Sequence, residues 1–464
     1  MDYRKVSFWL ETCGDDLTPR PALTRDHEVD TLIVGAGFTG LWTAWALKRH
    51  DADRRIAVVE RDIAGFGASG RNGGWASALF PLSYHAISRR FGKEAPARVS
   101  ASLISGLNDF ESALLEAGID GHYHRGGELT LATNPAHIEG IERELEVATR
   151  FGFADRYELL DEDQTRQRVN VPGAVAALYD RHCAVIQPAR VARELARVLE
   201  RTGVVIFEQT GVTAVNPGST FTRPTVSIGD RTITAHQVVL ATEAFTVQLP
   251  GLKRTLVPIY SLITLTEPIS DEAWQEVGWE NREAITDGRH LLVYLQRTQD
   301  GRILFGGRGA PYRIGSKIKS KYDVHKPTIG HLHDEFRKMF PSLAGVRFTH
   351  AWGGAVGASR DWMPSVTYDR PTHLSWARGY AGDGVAFAHI AGRTLGDLLT
   401  EQPTKRTSMP WVGHVSPQWP PEPFRLIGSQ IVSRSMRAQD SKEEETGKAL
   451  GRKSLGELLL GRNR

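Results

Sequence analysis

The segment from residue 31 to residue 60 constrains the fold more than any other part of the chain. An apolar strand at 31–34 runs directly into the sequence Gly-Ala-Gly-Phe-Thr-Gly at 35–40. A helix with an apolar face follows, and a second apolar strand occupies 56–59. A strand, a glycine-rich turn, a helix and a strand in this order predict a βαβ unit that binds a dinucleotide.

Each glycine of this turn has its own physical role. Gly35 permits the tight turn, Gly37 lets backbone N–H groups approach a pyrophosphate, and Gly40 lets the helix pack closely on the strand. The helix N-terminus then faces the phosphates. Glu60, twenty residues after Gly40, is predicted to accept the ribose hydroxyls of an adenosine. The alternative is an ordinary structural turn, which does not explain why an acid stands at this distance from the glycines.

Length and charge limit the remaining possibilities. A chain of 464 residues is expected to form two domains with an appended segment. The 57 Lys and Arg residues nearly balance the 54 Asp and Glu residues, which argues against nucleic acid as a partner. Cys13 and Cys183 cannot build a disulfide framework, so a reducing cytoplasm is expected. Neither a signal-peptide core nor an apolar stretch of about 18 residues is present, so we expect no membrane span.

No metal site is predicted. His331 and His333 stand two residues apart and have a chelating spacing, but a closed zinc site needs further ligands nearby. Surface histidines are the preferred interpretation of this pair.

Two further glycine-rich stretches decide which dinucleotide is bound. Residues 65–74 form a glycine-dense loop directly after the second strand, where a flexible linker is the alternative interpretation. A strand at 373–377, a glycine turn at 379–385 and a helix follow near the end of the fold. A second helix N-terminus of this kind stabilises negative charge on a flavin ring. FAD therefore explains the pattern better than NAD, which needs only the first motif.

Four motifs together resemble the D-amino-acid-oxidase-like FAD-dependent oxidoreductases. They are the stretches 34–40, 67–74, 305–308 and 379–385. The run Ala-Ser-Gly-Arg-Asn-Gly-Gly within the second stretch is most similar to the gamma-glutamylputrescine oxidase branch, and glycine oxidase and sarcosine oxidase are more distant. The resemblance extends over about residues 28 to 400.

The resemblance implies a set of FAD-binding residues from three parts of the chain. These are Gly35, Gly37, Phe38, Thr39, Gly40, Glu60, Arg61, Gly67, Ala68, Ser69, Gly70, Arg71, Asn72, Gly73, Gly74, Val212, Ala241, Thr242, Gly382, Asp383, Gly384 and Val385. Val212 is expected beside the adenine. Relatives such as sarcosine oxidase attach the flavin to a cysteine before the final strand, but residues 351–361 contain none, so FAD is expected to be non-covalent.

The resemblance also implies an α/β fold of the glutathione-reductase type. A Rossmann-like FAD-binding domain is interleaved with an α+β substrate domain built on a largely antiparallel sheet. The expected segments are 28–83, 171–250 and 351–400 for FAD binding, 84–170 and 251–350 for substrate, and 401–464 for a C-terminal tail. Apolar strand patterns in the substrate segments support the sheet, and they occupy 127–133, 256–265, 291–296, 302–305 and 346–352. The charged run 440–445 in the tail is expected to be solvated.

The implied chemistry is oxidation of an amine or amino acid at its C–N bond. Hydride transfer to flavin N5 gives an imine that water hydrolyses, and the cofactor performs the difficult step. Relatives carry a lysine that assists oxygen, but none lies between Leu291 and Arg308, so oxygen and another acceptor both stay open. A flavoprotein with structural FAD, acting as an RNA-modification partner or assembly factor, is the alternative function. The oligomeric state is not predicted.

Five residues are candidates for contact with a small amine substrate. Arg308 ends a glycine-flanked strand, and its guanidinium suits a bidentate pair with a carboxylate, although a structural ion pair or a cofactor contact is the alternative. The aromatic candidates could equally belong to the core. These aromatic candidates are Trp75, Tyr260, Trp352 and Tyr380, with His85 and Tyr294 as further possibilities. The basic residues at 313–321 suggest either steering of an anionic substrate or a solvated face.

Overall fold

The computed structural model describes residues 1–307 and 311–450. These residues form eleven α-helices and eighteen strands. The helices are α1 (Phe8–Glu11), α2 (Phe38–His50), α3 (Tyr84–Phe91), α4 (Ala95–Ala117), α5 (Pro135–Arg150), α6 (Glu162–Arg168), α7 (Pro188–Arg201), α8 (Asp271–Val277), α9 (Lys326–Met339), α10 (Val385–Leu399) and α11 (Phe424–Thr446). The strands are β1 (His27–Val34), β2 (Ile56–Val59), β3 (Trp75–Ser77), β4 (Glu128–Ala132), β5 (Tyr157–Leu160), β6 (Ala176–Asp180), β7 (Cys183–Val185), β8 (Val205–Phe207), β9 (Ala214–Asn216), β10 (Thr225–Ile228), β11 (Arg231–Leu240), β12 (Val257–Thr266), β13 (Ala284–Asp287), β14 (Val293–Arg297), β15 (Ile303–Gly307), β16 (Phe348–Ala358), β17 (Ser365–Asp369) and β18 (Leu374–Arg378).

The first sheet is built around β1. Its strands run in the order β17, β18, β11, β1, β2 and β8, and β10 and β9 extend from β11. β1 pairs in parallel with both β2 and β11, and β11 pairs in parallel with β18. Apolar side chains cover both faces of β1 and β2, which explains why both strands have nearly continuous apolar sequences. The predicted βαβ unit is thus confirmed.

Close packing of two helices brings their N-termini to the same edge of the first sheet. α2 lies against α10. Gly392 of α10 makes this approach possible, because a Cβ atom there would lie 2.7 Å from the backbone carbon of Trp42 in α2. Gly40 allows α2 to pack on the preceding turn in the same way, since a Cβ atom would lie 2.0 Å from the carbonyl oxygen of Gly35.

The second sheet is largely antiparallel, as expected. Its strands run in the order β16, β12, β15, β14, β13, β4, β6 and β5, and the pair of β13 with β4 is the parallel one. A cluster that includes Leu332 and Phe336 of α9 covers one face. The other face meets the glycine loop, because a Cβ atom at Gly73 would lie 2.8 Å from the Tyr294 ring. The second sheet therefore borders the loop that the sequence assigned to the cofactor.

The domain boundaries stay a prediction, and two strands cross the expected divisions. β6 lies within segment 171–250 but pairs with β4 and β5 of the second sheet. β16 begins before residue 350 and ends after it, and it pairs with β12 along nearly its whole length. Sheet pairing thus places both strands with the substrate segments.

The C-terminal tail is attached to the second sheet through its charged run. Asp440 of α11 accepts hydrogen bonds from the backbone N–H groups of His290 (2.8 Å) and Leu291 (3.0 Å). Glu443 is 6% exposed. The expectation that the whole run is solvated was wrong, because these two acids fix the helix to the loop between β13 and β14. Ligand atoms of His290, Asp440 and Glu443 lie within 4.8 Å of one another, although Asp440 already serves the backbone.

His331 of α9 is exposed, as expected for a surface histidine, whereas His333 packs against the second sheet. His333 stacks on Phe348 at a centroid distance of 3.7 Å, and its Nε2 lies 2.9 Å from the hydroxyl of Thr264. Burial lowers the pKa of His333. This side chain therefore helps to hold α9 on the second sheet.

Candidate functional site

A cavity lies at the carboxyl ends of β1, β11 and β18, where the two helix N-termini meet. Most of its walls come from backbone-rich turns of the first sheet and from the glycine loop. The cofactor-binding candidates that line it are Gly35, Gly37, Phe38, Thr39, Glu60, Arg61, Gly67, Ala68, Ser69, Asn72, Val212, Ala241, Thr242, Gly382, Gly384 and Val385. The remaining candidates are Gly40, Gly70, Arg71, Gly73, Gly74 and Asp383. Their places in the fold are given below, and the binding role of the whole set stays a prediction.

The start of α2 leaves donors available to a ligand. Gly37 is the N-cap residue, and among the described residues no side chain caps it. The N–H of Phe38 donates to the Ser69 hydroxyl at 2.8 Å, which joins the helix start to the glycine loop. A Cβ atom at Gly35 would lie 2.6 Å from the carbonyl oxygen of Ala241, so only glycine fits this turn. First-turn N–H groups and the helix dipole together favour an anion here.

Glu60 stands at the end of β2 beside the turn. Its carboxylate accepts the N–H of Ala36 at 3.0 Å and the N–H of Asp62 at 3.0 Å. Burial raises the pKa of Glu60, and these two backbone donors act against the rise. Each carboxylate oxygen accepts one such bond and keeps a second acceptor site. Glu60 is therefore positioned by the backbone and can still accept ligand hydroxyls.

The glycine loop is held in place by residues that the sequence motifs do not include. Ser7 donates its hydroxyl to the carbonyl of Gly70 at 2.7 Å, and the Trp9 indole donates to the carbonyl of Asn72 at 2.8 Å. Asn72 in turn accepts the N–H of Gly74 at 2.7 Å. Gly70 itself packs tightly, since a Cβ atom there would lie 2.3 Å from the Gly65 carbonyl oxygen. The segment before β1 therefore holds the glycine loop in place through these hydrogen bonds.

Arg71 is a wall residue whose guanidinium is already engaged. It donates to the carbonyl of Phe66 at 2.8 Å and to the Asp323 carboxylate at 2.7 Å. Its guanidinium carbon lies 4.3 Å from the centroid of the Phe66 ring. A second cavity adjoins the first at this point, and Arg71, Asp323 and Lys319 are among its lining residues. Lys319 is exposed.

The start of α10 forms the opposite end of the main cavity. Gly384 is the N-cap residue, and none of the described side chains caps it. Two residues of the preceding turn have left-handed backbone, Ala381 with a φ of 52° and Gly382 with a φ of 118°. Asp383 is half-buried beside them. A second set of helix-start N–H groups is thus aimed at the same cavity.

Tyr380 links the two helix starts. Its hydroxyl lies 2.8 Å from the hydroxyl of Thr39, and burial raises its pKa. Tyr380 is 5% exposed. Tyr380 also lines the main cavity, and its contact with substrate stays a prediction.

Glu243 is a site residue that the sequence analysis missed. It follows Ala241 and Thr242 at the end of β11, and it has left-handed backbone with a φ of 40°. Its carboxylate accepts the N–H groups of Gly357 (2.7 Å), Gly379 (3.0 Å) and Tyr380 (3.3 Å). Burial raises the pKa of Glu243, and the three backbone donors act against the rise. One carboxylate therefore joins β16 to the turn before α10.

The remaining substrate candidates occupy different environments. Trp352 is 2% exposed, and its indole donates to the carbonyl of Arg71 at 2.9 Å, so it packs in the core beneath the glycine loop. Tyr260 is 4% exposed, and its hydroxyl accepts the N–H of Lys319 at 3.3 Å. Burial raises the pKa of Tyr260 to about 12. For both residues the core alternative fits the structure better than direct substrate contact.

Trp75 and Tyr294 lie where the glycine loop meets the second sheet. The Trp75 indole donates to the carbonyl of Leu295 at 3.2 Å, and its ring lies 6.1 Å from the Tyr294 ring. Both side chains are half-buried. His85 packs against Phe151 at 5.7 Å. Arg308 lies outside the described residues, so its proposed clamp remains a prediction from the sequence.

The donors and turns around the main cavity fit FAD. A pyrophosphate suits the uncapped start of α2, hydroxyls of a ribose suit Glu60, and the second uncapped start at α10 suits the electron-rich edge of a flavin ring. A Cβ atom at Gly35 would lie 2.6 Å from the carbonyl oxygen of Ala241, and one at Gly384 would lie 2.9 Å from the Tyr380 ring, so both glycines keep the cavity wall open. FAD bound there would supply a hydride acceptor, while the protein residues bind and orient the reactants.

Comparisons with known proteins agree with this geometry. Residues 30–398 match the model of the DAO family, described as FAD dependent oxidoreductase, and the chain belongs to this family. It is 28% identical over 397 residues to gamma-glutamylputrescine oxidoreductase of Escherichia coli, which covers 85% of this chain and 89% of the relative. It is 27% identical over 399 residues to the probable oxidoreductase OrdL of Haemophilus influenzae, covering 85% and 88%.

Solved structures show the same fold. Glycine oxidase from Geobacillus kaustophilus superposes with a TM-score of 0.69 at 18% identity and covers 82% of this chain and 96% of its own. L-proline dehydrogenase from P. horikoshii superposes with a TM-score of 0.68 at 19% identity, covering 83% and 96%. The expected fold class and FAD as cofactor are confirmed, as is the assignment to an enzyme family of amine and amino-acid oxidoreductases.

Among residues 1–307 and 311–450, no helix combines the length and apolar character needed to cross a bilayer.

Proposed function

We propose that this protein oxidises the C–N bond of a small-molecule amine or amino acid to an imine, which water hydrolyses to a carbonyl compound and an amine. FAD held at this cavity would supply the hydride acceptor, and oxygen or another acceptor would remove the electrons afterwards. The observation that carries the proposal is the pair of uncapped helix starts, α2 and α10, that meet at one cavity bordered by the second sheet.

The residues around the cavity support orientation and exclusion of water. The hydrogen bond between Thr39 and Tyr380 holds the two helix starts together, and Glu243 fixes the turn before α10. The partly exposed rings of Trp75 and Tyr294 border the space between the glycine loop and the second sheet. Fixed positioning of substrate against the cofactor supplies much of the rate in reactions of this kind.

Two features support an amine substrate and a cytoplasmic location as parts of the proposal. One of the two relatives described above is gamma-glutamylputrescine oxidoreductase, and its name specifies an amine. Cys13 and Cys183 are both free and buried, which suits a reducing compartment.

Anaerobic flavin reduction tests the proposal. Protein loaded with FAD is mixed without oxygen with a panel of primary and secondary amines and amino acids that includes glycine, sarcosine, proline and linear diamines. We expect at least one compound to bleach the oxidised-flavin absorbance, and admission of air then tells whether oxygen restores it. Chemical reduction by dithionite is the positive control. Bleaching by dithionite alone, with no response to any amine, would contradict the proposal.

A further inference from the structure

A buried acid on the second sheet lacks a partner for one of its oxygens. Glu128 of β4 is 5% exposed, and its Oε2 atom has no hydrogen-bond partner among the described residues. A buried polar group without a partner costs about 1–3 kcal/mol, more when charged. An unpaired carboxyl oxygen in this position needs a physical reason, and a ligand group supplies one.

The strand register places Glu128 on the sheet face that borders the glycine loop. Thr130 opposes Thr286, and Thr286 opposes Tyr294, so the three side chains share one face. Tyr294 is the residue whose ring would meet a Cβ atom at Gly73. Glu128 lies two residues before Thr130 and therefore points to the same face. We call this face, defined by Thr130, Thr286 and Tyr294, the inner face.

The inner face is incompletely covered at its centre. Thr130 and Tyr294 are half-buried although they stand in internal strands of the second sheet. Glu128, two residues before Thr130 on β4, is more deeply enclosed than either. Asp383, at the start of α10, is near enough to contribute to the pKa of Glu128. The carboxyl is thus connected in space with the cofactor end of α10.

The charges around Glu128 are mostly negative. Burial raises its pKa well above the usual value, and Asp180 of β6, Glu144 of α5 and Asp383 raise it further. Arg156 is the cation that faces it, but the guanidinium of Arg156 donates to Asp180 at 2.7 Å. The thiol of Cys183 on β7 also faces Glu128, and burial raises the pKa of that thiol. The site therefore favours an incoming cation.

We propose that Glu128 binds a cationic nitrogen of the substrate that is distinct from the reacting nitrogen, and that it selects amines carrying a second positive charge. The inference rests on the proposed amine oxidation. The reacting nitrogen has to be unprotonated to give up a hydride from its neighbouring carbon. A separate ammonium or guanidinium group is therefore the part of the substrate that a carboxylate can hold. Linear diamines belong to this substrate class.

Two substitutions and two compounds test the inference in FAD-loaded protein. Glu128→Gln keeps the shape of the side chain and removes its capacity to carry a charge. Glu158→Gln is the control, because Glu158 is exposed on β5, which is separated from β4 by β6 in the same sheet. We expect the wild type to be reduced anaerobically by 1,4-diaminobutane at lower concentrations than by butylamine. Glu128→Gln should lose this preference by about tenfold or more. An unchanged preference in Glu128→Gln would overturn the inference.

Binding of a cation without turnover separates this inference from the proposed function. Butylguanidinium is titrated against the flavin absorbance, and its affinity should fall about tenfold in Glu128→Gln and stay unchanged in Glu158→Gln. Because burial raises the pKa of Glu128, binding of the cation to the wild type should also release protons. If Glu128-dependent binding is seen but no amine reduces the flavin, the proposed oxidation fails and the cation site stands. If amines reduce the flavin but binding and proton release do not depend on Glu128, the cation site fails alone. The proton measurement on the wild type decides the matter even if Glu128→Gln does not fold.

Discussion

Replacing Glu243 by glutamine should weaken FAD binding, because one of three backbone donors would then face another donor. In the wild type the carboxylate accepts N–H groups at 2.7, 3.0 and 3.3 Å. An amide keeps one acceptor oxygen for Gly379 and Tyr380 but presents NH₂ to the N–H of Gly357. An unsatisfied buried donor costs about 1–3 kcal/mol, and loss of the charge weakens the other two bonds.

Part of this loss is offset, since burial raises the pKa of Glu243 and an amide avoids the cost of desolvating a charge. We therefore expect a net loss of about 1–3 kcal/mol in Glu243→Gln. If most of it falls on the turn before α10, the dissociation constant for FAD rises about tenfold. Glu243→Ala, which loses all three bonds, should have a larger effect.

The assay is titration of apoprotein with FAD, followed by quenching of flavin fluorescence. Glu272→Gln is the control, because Glu272 is exposed in the first turn of α8. The reasoning is refuted if Glu243→Gln binds FAD as tightly as the wild type and unfolds at the same temperature. A drop in unfolding temperature with unchanged FAD affinity would show that Glu243 supports β16 and not the cofactor turn.

Three further predictions follow from the same structure. Trp9→Phe removes the indole donor to Asn72, so it should lower stability by about 1–3 kcal/mol and weaken FAD binding. The control is Trp419→Phe, which loses an indole hydrogen bond of 2.9 Å to the carbonyl of Ala358 and should lower stability alone. Denaturant unfolding and FAD titration measure the two effects. Gly35→Ala should abolish retention of FAD on purification, because its φ is 106° and the new Cβ atom would lie 2.6 Å from the Ala241 oxygen; Gly229→Ala, with a φ of 59° and no atom within 4 Å, should retain it. Burial alone would raise the pKa of Asp361, but hydrogen bonds from His414 and Ser416 hold it at about 2, below the usual 3.8. Because the pKa of Asp361 is depressed in the folded state, the ionised carboxylate contributes about 2 kcal/mol of stability above pH 4, and this contribution is lost as pH falls toward 2. The difference in unfolding free energy between wild type and Asp361→Asn should therefore shrink below pH 4 in unfolding curves. A constant difference would contradict this prediction.

Local sequence patterns predicted the parts of the fold that depend on neighbouring residues. The turn at 35–40, the strand at 56–59 and the helix after 385 all appear as expected, because apolar periodicity and glycine placement are properties of short segments. The cofactor class followed from the order of three glycine stretches. The same reasoning misjudged the charged run of α11, since burial of Glu443 depends on a loop that lies far away in sequence.

Hydrogen bonds between side chains and distant backbone atoms could not be predicted from the sequence. Glu243 and Trp9 make their contacts with N–H and carbonyl groups, which every residue possesses, so their partners leave no mark in the chain. Aromatic candidates were ambiguous for a different reason. Trp352 and Tyr260 are residue types that occur both in substrate chambers and in cores, and both side chains are enclosed. Only their packing distinguishes a core residue from a substrate contact.

The two helix starts also raise a question of charge that the structure answers through Glu243. Each helix N-terminus carries roughly half a positive charge, so placing α2 and α10 at one cavity brings like charges together. The carboxylate of Glu243 accepts two N–H groups from the turn that leads into α10, which places negative charge beside one of them. The carboxylate of Glu60 does the same for the turn that leads into α2, since it accepts the N–H of Ala36 at 3.0 Å. Each turn thus has an acid beside it, while the N-cap residue of neither helix supplies a side-chain cap. The pyrophosphate of FAD at the start of α2 would add negative charge there, which offsets the repulsion that the close packing of the two helices creates.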